Sequence, residues 1–99
     1  MIQHVVMLAL PDGYDTAELA AVMEGLGGLD LPGFTGFQHG PNIDLENKTP
    51  GHPYGFICSF ADRSALETYA ANPGHQALGA RLVALCGGGD GIMVMDLAV

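Results

Sequence analysis

The segment Tyr69-Ala70-Ala71-Asn72-Pro73-Gly74-His75 decides how the second half of this chain folds. Proline lacks a backbone N–H and its ring clashes with the turn before it, so a helix running through Tyr69 ends or kinks at Pro73. Asn72 is a good N-cap, and proline suits the first position of a helix, so a second helix starts at once. Tyr69 then lies on the last turn of one helix and His75 on the first turn of the next. A phenol and an imidazole at such a corner are either the polar groups of a pocket mouth or the polar edge of a core.

Working outward, Asp62 or Ser64 can cap the first of these helices, and Ser64 with Glu67 has capping-box spacing. Arg63 and Glu67 form an i,i+4 pair. Leu78, Leu82 and Leu85 mark the buried side of the second helix, and Gly87-Gly88-Gly89 stops it. Before the corner, Tyr54 to Phe60 reads as a strand with Tyr54, Phe56, Cys58 and Phe60 on one face. Asp44 to Pro53 is a polar loop, and Phe34 to Ile43 is a strand weakened by Gly36, Gly40 and Pro41. Leu19, Val22, Met23 and Leu26 recur at helical spacing after an Asp15–Glu18 cap, and Gly27-Gly28 ends that helix. Ile2 to Leu10 and Gly91 to Val99 are the first and last strands, both apolar on two faces apart from His4 on the first.

Strand, helix, strand, strand, split helix, strand is the ferredoxin-like βαββαβ order, an α+β fold with a four-stranded antiparallel sheet under helices. A sheet with one wet face alternates apolar with polar residues. The first and last strands here do not, so the second face needs cover. A second copy of the same sheet is the simplest cover, giving a homodimeric α/β barrel.

Composition sets outer bounds. A chain of 99 residues is one domain, 1–99. Its hydrophobic fraction of 48% is high and its charged fraction of 14% is low, which favours a homo-oligomer. Only Lys48, Arg63 and Arg81 oppose a formal net charge of -8, so nucleic acid and anionic membranes are poor partners. Cys58 and Cys86 make no disulfide framework and no zinc pattern. With no basic leader and no long apolar run, the expected setting is soluble and cytoplasmic. The four histidines lack close metal-ligand spacing, and Asp44 and Glu46 fit a solvated loop better than a cation site, so no metal is expected. The glycines at 87–91 stop a helix and make no phosphate cradle, and no nucleophilic-hydrolase motif occurs. No cofactor is expected.

Three stretches carry a resemblance. Gln3-His4-Val5-Val6-Met7-Leu8, Tyr54 to Phe60 with Asp62-Arg63-Ser64-Ala65-Leu66, and above all Tyr69 to His75 resemble the stress-responsive dimeric A/B barrel domain family. The most specific element is Tyr-x-x-x-Pro-x-His joined to a histidine near the N-terminus. The resemblance implies a ferredoxin-like protomer that dimerises through its sheet. A plant polyketide cyclase of this family uses a Tyr and a His at the positions of Tyr69 and His75 for acid–base work, with an N-terminal His matching His4 nearby. Carried over, His75 becomes the base for an aldol-type carbanion and Tyr69 the group that polarises a carbonyl oxygen.

The expected site is therefore a small apolar pocket between sheet and helices, with His75, Tyr69 and His4 as its polar groups and Tyr54, Phe56 and Leu8 as its walls. Its expected use is cofactor-free acid–base chemistry of the lyase or cyclase kind on a small carbonyl compound. The alternative is a non-catalytic, stress-related dimer that binds a small hydrophobic ligand or serves only as structure.

Overall fold

The computed structural model describes residues 1–99. In chain order it contains β1 (Ile2–Leu8), α1 (Thr16–Gly27), β2 (Phe34–Pro41), β3 (Tyr54–Phe60), α2 (Arg63–Ala71), α3 (Pro73–Leu85), a 3-10 turn at Gly89–Gly91, and β4 (Ile92–Ala98). The sheet order is β2-β3-β1-β4, with every neighbouring pair antiparallel. This is the ferredoxin-like arrangement, its second helix split at Asn72.

Local chemistry explains the boundaries. The Asp15 carboxylate accepts from the Glu18 N–H at 3.0 Å and starts α1. Glu18 does not close a capping box; its carboxylate meets Arg81 of α3 through two hydrogen bonds and ties the two helices together. Asp62 caps α2 by accepting from Ala65 N–H at 2.9 Å, which leaves Ser64 inside the helix. Asn72 ends α2 and caps α3, its side-chain oxygen taking the His75 N–H at 2.9 Å. Gly33 lies at φ 77, and a Cβ there would come within 2.6 Å of the Ala65 Cβ, so only glycine lets β2 start beneath α2.

Two strands end earlier than the sequence suggests. β1 stops at Leu8, where both neighbours run out: Leu8 is opposite Tyr54 on one side and Ile92 on the other. Leu10 lies beyond the ladder yet is still buried. β2 stops at Pro41 rather than Ile43, and Asn42 turns the chain by bonding Thr49 Oγ1 and the His52 carbonyl.

The even-numbered residues of β1 and β3 face the helices. Val6, Leu8, Phe56, Cys58 and Phe60 pack with Leu19, Val22, Met23 and Leu26 of α1, Ala65 and Tyr69 of α2, and Leu82 of α3 in one core. The odd-numbered residues turn the other way. Val5, Met7, Ile57, Met93, Met95 and Leu97 share that open face with Gln3, Gln38 and Ser59, and no charged residue stands among them. Met93, Met95 and Leu97 are 40%, 46% and 53% exposed. No helix is long and apolar enough to cross a membrane.

Candidate functional site

The strand register brings the first site residue into place. His4 stands opposite Cys58 on β3 and Asp96 on β4, all on the helix-facing side. His4 Nδ1 lies 2.5 Å from Asp96 Oδ1. An ionised carboxylate only accepts, so Nδ1 carries the proton and Nε2 keeps its lone pair when the ring is neutral. Asp96 thus orients His4. Sequence reasoning passed over Asp96, although it is the only charge in an apolar strand; its link to His4 depends on a pairing across 92 residues.

The helix break supplies the other two. Tyr69 comes down from the last full turn of α2 into the core and is 1% exposed. Its ring packs edge-on to His4 (centroids 5.7 Å apart) and against Phe60 (5.0 Å) and Phe34 (5.7 Å). His75, in the first turn of α3, lies against Tyr69 with centroids 3.9 Å apart and planes tilted by 34°. His4, Tyr69 and His75 therefore form one continuous row of rings, with Asp96 at its outer end.

The protonation pattern follows from burial. Burial raises the Tyr69 phenol, reinforced by the charge and hydrogen bond of Cys58, so Tyr69 stays a neutral O–H donor. The Cys58 sulfur lies 3.7 Å from the Tyr69 oxygen, a weak hydrogen bond in which the phenol can donate to the sulfur or the thiol to the oxygen. Burial pushes Cys58 itself up to about 11, only partly offset by that bond, so it is not a thiolate nucleophile at neutral pH. Burial also lowers the His75 pKa, opposed by the Ala70 carbonyl, helped by the charge of His4 and opposed again by the Tyr69 carbonyl. The neutral imidazole is thus favoured. Its Nδ1 is buried with no hydrogen-bond partner, a costly state for a polar atom.

The expected walls lie elsewhere. Leu8 and Tyr54 are opposite each other at the far end of the ladder, about 13 Å along the strands from His4. Leu8 is fully buried core, and Tyr54 hydrogen-bonds His39 Nδ1 at 2.7 Å. Phe56 borders a depression of about 280 Å³ with Val5, Met7, Gln38 and Ile57. A second depression, about 170 Å³, lies between the end of α1 and β2. Neither includes His4, Tyr69 or His75. No cluster of three or more His, Cys, Asp or Glu residues could hold a metal ion, and the Asp44 carboxylate is occupied by the Lys48 and Thr49 amides and the Thr49 hydroxyl.

Comparison with known proteins agrees with the fold. A dimeric ferredoxin-like protein of unknown function from Jannaschia sp. CCS1 is 46% identical, with a TM-score of 0.93 over 99% of this chain and 98% of that one. A protein from Arabidopsis thaliana shares the fold at 21% identity, with a TM-score of 0.85 over 100% of this chain and 95% of that one. A hydroxynitrile lyase from Passiflora edulis shares it at 12% identity, with a TM-score of 0.81 over 99% and 92%. No curated protein matches the sequence. The sequence profile of the stress responsive A/B barrel domain matches residues 2–99. The chain therefore belongs to the stress-responsive A/B barrel domain family.

Proposed function

We propose that this protein is a homodimer that binds a small, largely apolar carbonyl compound beside His75 and Tyr69 and performs cofactor-free acid–base chemistry of the lyase or cyclase kind. The observation that carries this reading is the buried, unpartnered Nδ1 of His75 in ring contact with a neutral phenol. A ligand that supplies the missing partner relieves its cost. In the reaction His75 takes a proton from the carbon next to the carbonyl, and the bond's electron pair moves onto the carbonyl oxygen. Tyr69 donates its O–H to that oxygen as charge builds there. His4, held by Asp96, stands on the far side of Tyr69 and positions its ring. The hydroxynitrile lyase on the same fold supports the reaction class in general terms only. The dimer reading rests on the open sheet face and on the 46% identical relative described as dimeric.

A second reading, a dimer that binds without turnover, is favoured by the near-complete closure of Tyr69. Small hydrophobic ketones, aldehydes, phenols and cyanohydrins separate the two. Thermal shift finds the binders, and turnover assays with wild type and His75→Ala follow. The enzyme reading expects a loss of about 10²- to 10⁴-fold in kcat/KM with the fold retained. Full turnover by His75→Ala removes His75 as the base; binding without turnover leaves the second reading.

A further inference from the structure

Two large aliphatic side chains stand almost wholly in water. Ile43 is 85% exposed and Leu45 88%, the highest exposures among the large hydrophobics of the chain. They sit at the start of the loop between β2 and β3, and that loop is tightly built. The Asp44 carboxylate oxygen Oδ1 accepts from the Lys48 N–H at 2.8 Å, the Thr49 N–H at 2.9 Å and the Thr49 hydroxyl at 3.0 Å. The Asp44 N–H donates to Asn42 Oδ1 at 3.0 Å, and the Asn42 amide reaches Thr49 Oγ1 and the His52 carbonyl. Asp44 and Asn47 both hold left-handed backbones, at φ 44 and 54. A loop that spends so many hydrogen bonds on its shape presents Ile43 and Leu45 outward in a fixed position.

We infer that Ile43 and Leu45 form a docking arm that packs against the open sheet face of a second copy of this chain. The inference rests on the homodimer reading above and adds the arm to it. The occupant follows from charge and area. Two chains of net charge -8 repel, so they meet where charge is absent, and the open sheet face carries no charged residue. Four strands of about seven residues present a flat footprint of about 440 Å². A standard interface needs about 800 Å² of accessible surface per partner. The two exposed aliphatics on a rigid arm add apolar area to what the sheet offers. An anionic membrane is a poor alternative for so acidic a protein.

Sedimentation equilibrium of wild type, the double variant Ile43→Ser/Leu45→Ser and Met95→Lys tests this. The expected results are a wild-type dimer, a dissociation constant at least about 100-fold higher for the double variant, and a monomeric Met95→Lys. A double variant that dimerises as tightly as wild type, beside a dissociated Met95→Lys, overturns the arm and leaves the dimer. A wild-type monomer at micromolar concentration overturns both. Because altered loops can misfold, the unmutated dimer gives a second measurement. Mixing isotope-labelled and unlabelled protein, the Ile43 and Leu45 methyls should show intermolecular NOEs to the partner's sheet, and their absence in a dimer overturns the arm.

Discussion

Two tyrosine–histidine pairs lie near opposite ends of β3, and they differ in what their polar atoms already hold. Tyr54 and His39 are hydrogen-bonded at 2.7 Å, with ring centroids 6.0 Å apart and His39 exposed. Each satisfies the other, and water can serve what remains. Tyr69 and His75 have ring centroids 3.9 Å apart with planes tilted by 34° and no hydrogen bond between them, and the buried His75 Nδ1 has no partner. The same two residue types thus make a closed surface pair in one place and an open-ended buried pair in the other. Proximity alone does not mark a candidate site; unspent hydrogen-bonding capacity in a dry place does.

Substitutions sharpen the contrast, and the largest effect is expected at Tyr69. Tyr69→Ala removes a fully buried ring from contact with Phe34, Phe60, His4 and His75. It should cost about 3–5 kcal/mol by chemical denaturation. A cost near zero would mean that Tyr69 is not the packed centre of the site. Asn72→Ala comes next, at about 1 kcal/mol, because it removes the cap that receives the His75 N–H. The same variant should disturb the His75 ring resonances more than those of His39.

The pH dependence of stability is a further test. His75 has a lowered folded pKa, so the unfolded chain takes up the proton more readily. Its contribution is intact above about 6.5, the unfolded value, and is lost as pH falls through the folded one. Urea midpoints between pH 7.5 and pH 5, measured at about half-unit steps, should fall less steeply in His75→Gln than in wild type. Equal slopes would break the contrast between the two pairs. The smallest effect is expected from His39→Ala, under about 1 kcal/mol, since it opens an exposed pair that water can replace.

Much of this was legible in the residues because it depends on local chemistry. The alternation of Tyr54, Phe56, Cys58 and Phe60 gives β3 and its buried face. The Asn72-Pro73 break sets the meeting of Tyr69 and His75, and the Leu19–Leu26 spacing gives the buried side of α1. What was not legible depends on partners distant in sequence. Asp96 orients His4 only because β4 pairs with β1 in one register. Glu18, six residues before Glu24 on the same helix, caps nothing because Arg81 of α3 lies within reach. Ile43 reads as the end of a strand, yet Pro41 ends the ladder and leaves Ile43 on the loop. Tyr54 and Leu8 share the helix-facing side with His4 but stand four residues along the ladder from it, a separation that face assignment alone does not convey.

The central claim is that the His75 ring is neutral near physiological pH, with a ring nitrogen free to accept. An NMR titration of the histidine side chains, with ring nitrogen shifts followed from pH 8 to pH 4.5, tests it most directly. The account predicts a His75 midpoint below about 6.5 and no hydrogen-bond signature at Nδ1. A midpoint at or above that value, or an Nδ1 already engaged in a hydrogen bond, would contradict it.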